Sequence, residues 1–494
     1  MLQIGTDHDF AAVRDLLIHA NYHEAEFCAR LGIASLSEFE EEFDRVQIDD
    51  FRKDAHGVLI QLFVEGKYVD EALARERFGE QALTAMASLG MLQRNPASDG
   101  EICSTIALYP TAGVWVASDR WNNPDREPYQ AAVDIVYPAI VSNAQRFLKF
   151  MPTADRGAML ELCSGTAVAA VRAATQGAEH AWAIDITERS TLFADFNARL
   201  NGASNVTALQ GDLYAPAEGR QFDFIVAHPP YVPVLRAKWI YHDGGDDGEQ
   251  ILRRCVEGVP AHLAPGGIFY LLAMSSDRKD AAYEQRVRGW LGESEGEFDV
   301  AAFVSRSLEP DDFAMRAVFG NDSAQNDMRT LRELFRSLGV QQMVYAVLMI
   351  QRRSEARPVF TVRRQMDSSA TGHDVMAAIQ WETAIRRPGG LNGLVGARLK
   401  ANPETELHVR HSLTGEGWEI ESYQLKTSRP FTMEAKTDQW APYLISQCDG
   451  SKTVAEHFQE LMAQDVLPEG TEPREFARAL SVLVSGGFLH LVRE

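Results

Sequence analysis

The residues best placed to do chemistry form a four-residue step, His228-Pro229-Pro230-Tyr231, directly after an apolar run from Phe222 to Ala227. Proline lacks a backbone donor and fixes its own φ, so two in a row cannot continue a central strand. The chain must leave the sheet rigidly there and present His228 and Tyr231 at the carboxyl end of a strand, the edge where open α/β sheets hold ligands. Neutral histidine accepts on one ring nitrogen and donates from the other, and its charge changes near neutral pH. That suits a general base toward an amine; simple packing is the competing reading of His228.

Upstream, Leu160-Glu161-Leu162-Cys163-Ser164-Gly165-Thr166-Ala167 reads as a buried strand, a tight turn of small residues and the start of an alanine-rich helix. Ala181-Trp182-Ala183-Ile184-Asp185 is a second apolar strand ending on a carboxylate. It lies roughly twenty residues past the turn, the offset of an acid that binds a ribose. A third strand, Val206 to Leu209, runs into Gly211-Asp212-Leu213-Tyr214. Strands alternating with helices argue for a parallel, doubly wound α/β sheet.

Taken together, residues Leu160 to Gly267 resemble a class I S-adenosylmethionine-dependent methyltransferase. Within that class they are similar to the "methyltransferase small" group, which includes the release-factor glutamine methyltransferases and several ribosomal RNA guanine methyltransferases. Glu161 to Ala167 matches the first motif, and His228-Pro229-Pro230-Tyr231 stands where the family has Asn-Pro-Pro-Tyr. Tyr241 to Gly248 resembles the acidic glycine-rich loop that follows, and Leu263 to Gly267 the turn before the fifth strand. The resemblance implies a Rossmann-like sheet of seven strands, one antiparallel, and S-adenosylmethionine as cofactor. It implies cofactor contacts from Glu161, Cys163, Gly165, Asp185, Ile186, Asp212, Leu213 and His228, with Asp185 on the ribose and Asp212 on the adenine. His228, the Pro229 carbonyl and Tyr231 would hold the nucleophile. Cys163 and Ala167 replace two of the family's glycines, and His228 replaces its asparagine. The expected activity is methyl transfer to a nitrogen of a protein side chain or a small amine-bearing metabolite. A ribosomal RNA base methyltransferase is the alternative, and a non-catalytic or nicotinamide-binding protein the third reading, in which Pro229-Pro230-Tyr231 has no role.

The chain has 494 residues, with 48 basic and 70 acidic side chains and a formal net charge of −22. Such a balance repels a phosphate backbone, so a nucleic-acid partner is disfavoured relative to a protein or small-molecule amine. Five cysteines (Cys28, Cys103, Cys163, Cys255 and Cys448) show no paired spacing. Neither disulfides nor a metal is expected, and a reducing, cytoplasmic setting fits. Nothing resembles a signal peptide or a membrane span. A homodimer is compatible with the sequence but not specified by it.

The flanks divide the chain into 1–110, 111–350 and 351–494. The first part is helical, and Leu83 to Leu92 has the texture of a winged-helix recognition helix running into a wing strand. His19 and His23 sit four apart on one helix without a third ligand, so no zinc is expected. Asp119 and Arg120, by a weaker resemblance, close over the cofactor or substrate; a salt-bridged turn is the other reading. Asp134 to Lys149 is expected as a helix, Glu309 to Asn326 as a lid, and Asp243, Asp246, Asp247 and Glu249 as a substrate-facing or solvated loop rather than a calcium site. Arg352, Arg353, Arg357, Arg363 and Arg364 form a basic run, read as alternate residues on a strand surface, with an RNA-contacting face as the other reading. Pro388 to Gly393 lacks the Lys-Ser/Thr of a phosphate loop. The third part is α+β, with alternating strands at Glu406 to His411 and Trp418 to Leu425. Its ending, Val484 to Leu491, suggests a second winged-helix-like module.

Overall fold

The computed structural model describes residues 2–42, 53–125, 127–154, 157–233, 239–318 and 324–492. An α/β sheet organises it, with strands β1 (Ala158–Leu162), β2 (His180–Asp185), β3 (Val206–Gln210), β4 (Phe222–Ala227), β5 (Leu263–Arg278), β6 (Phe298–Leu308), β7 (Val340–Arg352), β8 (Thr361–Met366), β9 (Glu406–Thr414), β10 (Gly417–Thr427) and β11 (Phe431–Thr437). Their order across the sheet is β9-β10-β11-β8-β6-β7-β5-β4-β1-β2-β3. The paired strands among β1 to β5 run parallel, and β7 is antiparallel to both β5 and β6.

The sheet does not stop at the expected seven strands. Val300 to Val304 of β6 are buried throughout, and a strand this apolar needs a neighbour on each side. β8 supplies it in parallel register, Val300 opposite Thr361 and Val304 opposite Gln365, and β9 to β11 extend the sheet to eleven strands. The expected boundary at residue 350 therefore falls inside one continuous sheet.

Sequence explains the central strands directly. In β4 only Asp223 is exposed, as a parallel strand covered on both faces requires. Helices α1 (Ser142–Phe150), α2 (Val168–Gln176), α3 (Glu188–Leu200) and α4 (Gln250–Glu257) accompany these strands. The buried side of α2 is Val168, Ala169, Ala170, Val171 and Ala173, small enough to seat the helix close to the sheet. Thr187 caps α3 by accepting from the Ser190 amide at 3.0 Å. The expected helix from Asp134 begins only at Ser142. Pro138 interrupts the preceding segment, and Asp119 pins it by accepting from the Val136 amide at 2.8 Å.

The N-terminal helices share the core on one sheet face. Phe10 meets Phe196 of α3 edge-on at 5.1 Å. A hairpin, Ala107–Thr111 with Val114–Ser118, docks on α3 through Asn197, which bonds both the amide and the carbonyl of Ala117 at 2.7 and 2.9 Å. Earlier, helix Ala55–Phe63, strand Val69–Asp70, helices Glu71–Phe78 and Glu80–Ser88, and hairpin Leu92–Arg94 with Glu101–Ser104 follow one another. At the other end, helices Val454–Ala463 and Pro473–Ser485 lead to a single strand, Leu489–Leu491, paired with Arg398–Ala401. Arg398–Ala401 also pairs with Asp449–Thr453, so a strand from earlier in the chain forms the centre of this small sheet. The interval expected as a lid holds helix Pro310–Val318 and the start of helix Ala324–Ser337, and residues 319–323 lie outside the described residues. No helix among the described residues is long and apolar enough to cross a membrane.

Candidate functional site

A cavity of about 650 Å³ opens at the carboxyl ends of β1, β2 and β4, within the size range of small-molecule sites. The residues expected to hold the cofactor and the nucleophile line it: Glu161, Cys163, Gly165, Asp185, Ile186, Asp212, Leu213, His228, Pro229 and Tyr231.

One wall is the turn after β1. Cys163, Gly165 and Ala167 have φ of 53°, 50° and 57°, so the two positions without glycine keep a glycine-like backbone, at a cost on the order of 1 kcal/mol each. The surroundings hold them there. The Gly165 amide donates to Asp185 Oδ2 at 2.9 Å, and Asn197 Nδ2 donates to the Thr166 carbonyl at 2.9 Å. Below the turn, buried Glu161 accepts from the amides of Ala170 and Ala169 at 2.7 and 3.4 Å. Burial pushes its carboxyl up to about 8, the two amides oppose that rise, and the nearby Asp185 charge adds to it. A Cβ built on Gly165 would meet nothing within 4 Å, so the turn presents open space to a ligand.

Asp185 links this turn to α3, its second oxygen accepting from the Thr187 amide at 3.2 Å. Ile186 stands exposed at the rim. Asp212, on the turn after β3, accepts from Arg254 of α4 at 2.8 Å and stays half exposed, and Leu213 beside it has φ of 49°.

The facing wall carries the diproline step. His228 stacks on Phe147 of α1 at 5.1 Å with the rings 8° from parallel, and lies 6.0 Å from Tyr231. Burial lowers the imidazole to about 4, so it is neutral at physiological pH and available as an acceptor. Burial likewise raises the Tyr231 phenol, whose ring meets Tyr345 of β7 at 5.8 Å.

Other nominated groups serve the scaffold. Asp119 is buried, paired with Arg189 of α3, and Arg120 donates to the Ser104 carbonyl at 2.6 Å; neither lines the cavity. Asp119 instead anchors the 133–139 segment that does. In the acidic loop, Asp243 does line the cavity and accepts from the Gly245 amide at 2.9 Å, while Asp247 accepts from the Glu249 amide at 3.0 Å. Glu249 is not solvated: it is buried, accepts from Ser275 Oγ at 2.7 Å and pairs with Arg278 and Arg286. Burial alone would raise its carboxyl, but the two guanidinium groups hold it below the usual range. The basic run is also not a free strand surface. Arg352 pairs with Glu297, Arg357 with Asp299, Arg363 with Asp277 and Arg364 with Glu382. Among the described residues no cluster of three or more His, Cys, Asp or Glu is arranged to hold a metal.

Sequence reasoning missed Phe147, Arg189, Asn197, Arg254 and Tyr345. Phe147 and Tyr345 line the cavity, whereas Asn197 holds the Thr166 turn, Arg254 holds Asp212 and Arg189 holds Asp119, all from elements outside the motifs; only Arg189, in the first turn after the Asp185 strand, had a positional signal.

The methyltransferase small domain family matches residues 140–298. A ribosomal protein uL3 glutamine methyltransferase of Bradyrhizobium diazoefficiens is 33% identical over 31% of this chain and 51% of its own length. A release factor glutamine methyltransferase of Gloeobacter violaceus is 31% identical over 26% of this chain and 52% of its own. The chain thus spans about half the length of these relatives. Among solved structures, a ribosomal protein L11 methylase from Lactobacillus delbrueckii subsp. bulgaricus is 17% identical, covering 40% of this chain and 71% of that one at a TM-score of 0.24. Residues 140–298 thus match the methyltransferase small domain family, and that segment holds the His-Pro-Pro-Tyr step together with Glu161 in β1, Asp185 at the end of β2 and Asp212 after β3.

Proposed function

We propose that the protein is an N-methyltransferase acting on the side-chain nitrogen of a protein, with the amide of glutamine as the target class. The observation that carries this reading is that two walls share one cavity: the Gly165 turn with Asp185 and Asp212 on one side, His228-Pro229-Pro230-Tyr231 on the other. S-adenosylmethionine would supply a methyl group already activated on a sulfonium, leaving positioning and water exclusion to the protein. The open space at Gly165 and the half-exposed carboxylate of Asp212 fit such a ligand. In this reading Asp185 holds the ribose, Asp212 the adenine, and Glu161 supports the turn that faces the amino-acid portion. Cys163, Ile186 and Leu213 complete the contacts. The Pro229 carbonyl and a neutral ring nitrogen of His228 accept from the target nitrogen, and Tyr231 closes one side of it.

The names of the relatives support a protein substrate. The ribosomal RNA alternative loses support because four arginines of the basic run are held in internal ion pairs and Arg353 is bonded to backbone carbonyls. We assign residues 1–110 to a winged-helix-like module, on the order helix, strand, two helices and hairpin between Ala55 and Ser104. Residues 111–350 then form the catalytic domain, and 351–494 an α+β extension whose strands lengthen its sheet. The test is transfer of labelled methyl from S-adenosylmethionine into fractionated lysate, with mass spectrometry of the labelled peptides. Methylglutamine in a protein is the expected product; label confined to RNA, or tighter binding of NAD than of S-adenosylmethionine, overturns the reading.

A further inference from the structure

Beyond the diproline step, the acceptor wall continues to Tyr345 and two arginines. Arg146 of α1 places its guanidinium 5.6 Å from the centre of the Tyr345 ring. Arg306 of β6 lies opposite Tyr345 in the antiparallel ladder. It reaches that position through a bulge: Val304 pairs with Ala346, Ser305 is skipped, and Arg306 takes the next place. In a regular ladder Ser305 would oppose Tyr345, and Arg306 would leave the sheet by its other face. Bulges beside active sites commonly re-aim one side chain, and this one turns a cation toward the cavity. Both arginines line it.

Neither makes an ion pair with a carboxylate among the described residues. In contrast, Arg189, Arg254, Arg278 and Arg286, which stand in the supporting elements and do not line the cavity, are each paired with one. In a chain with 70 acidic and 48 basic residues, two unneutralised guanidinium groups beside one buried tyrosine make the acceptor wall locally cationic. Tyr345 is in turn 5.8 Å from Tyr231, so this charge sits one ring away from the diproline step.

We propose that Arg146 and Arg306 form a carboxylate-binding subsite beside the acceptor position, so that the preferred acceptor carries an acid close to its target nitrogen. The inference rests on the function proposed above and narrows its substrate class. Guanidinium groups bind carboxylates through charge-assisted, often bidentate hydrogen bonds, which lysine does not reproduce. A phosphate would satisfy the same donors, but the net charge of −22 repels a polyanion. The carboxylate has two available sources, an acidic side chain in a protein segment or a small free acid.

The experiment titrates two peptides, Gly-Asp-Gln-Asp-Gly and Gly-Asn-Gln-Asn-Gly, into the full chain saturated with S-adenosylhomocysteine. The acidic peptide is expected to bind about ten-fold more tightly, with an advantage that shrinks as salt rises. R306Q and R146Q should each erode the difference, and R306K should restore only part of it. Melting temperature and S-adenosylhomocysteine affinity should stay at wild-type values in all three. Glutarate as a third probe separates the sources: competition at the peptide's own affinity assigns a small acid, and its failure to compete assigns a protein segment. Equal binding of the two peptides, no binding of either, or a short RNA that outcompetes both in an Arg306-dependent way overturns the subsite. Failure of S-adenosylhomocysteine itself to bind counts against the underlying methyltransferase reading instead.

Discussion

At the scale of single residues, the role proposed for His228 turns on the charge of its ring. A ring whose protonation is lowered to about 4 is a weak base at neutral pH, so in the proposed site it would orient the acceptor through an accepting nitrogen. H228A should therefore leave S-adenosylmethionine affinity unchanged and reduce turnover by about 10-fold, short of the loss that follows removal of a true general base. D185A should weaken cofactor binding by on the order of 10-fold or more, since it frees the Gly165 amide as well as the ligand contact. Binding titration and single-turnover rates separate the two; unchanged turnover in H228A would remove the ring from the chemistry. The same group leaves a mark on stability. Its folded value lies below the usual 6.5, so the unfolded chain binds the extra proton first as pH falls. Its stabilising effect is complete above about 6.5, declines between 6.5 and 4, and is gone below 4. The loss is at most about 3 kcal/mol, reduced by water reaching the ring from the cavity. Glu161 slopes the opposite way, because its raised value favours the protonated carboxyl at low pH. The measurement is thus the difference between wild type and H228N in urea unfolding from pH 7 to 4, and parallel curves would contradict it.

At the scale of elements, what could be read from sequence was what is local in the chain. The strand-turn-helix at Glu161, the acid ending β2 and the diproline exit from β4 each declare themselves within a few residues, because backbone chemistry dictates them. Glu249 did not. A carboxylate in a glycine-rich loop reads the same whether solvated or buried, and its partners Arg278 and Arg286 come from later elements. Arg357 escaped for the same reason: within a run of arginines nothing distinguishes the one that is buried. It pairs with Asp299 at the start of β6, both side chains nearly inaccessible, while Asp299 also accepts from the Phe360 amide at 3.0 Å. This clamp sets the entry of β8 beside β6. R357A leaves a buried carboxylate without its cation and should cost about 3–5 kcal/mol in urea unfolding. A D299N/R357M pair should recover a good part of that, since it removes both charges together. A loss below about 1 kcal/mol in R357A would mean that water reaches Asp299 and the clamp is not one.

At the scale of the whole molecule, the extended sheet makes the last third of the chain part of the support for the cavity. β6 carries Arg306 at one end and is covered along Val300 to Val304 by β8. A chain ended at Arg352 would turn that apolar strand into an open edge, with unpaired amides and carbonyls beside buried-type side chains, the pattern that templates aggregation. Its expected behaviour is self-association in size-exclusion chromatography and weaker cofactor binding, although every motif residue from Glu161 to Tyr231 is retained. Shortening the β9–β10 hairpin across 409–422 provides the contrast. The tip is exposed on both strands, with Leu413 and Trp418 among its most accessible side chains. Its removal leaves the β6–β8 pairing intact, so cofactor affinity should match wild type. If the chain ended at Arg352 instead stayed monomeric and bound cofactor normally, β6 would be stable as an edge, and the extension would have no part in holding Arg306 and Tyr345 at the acceptor wall.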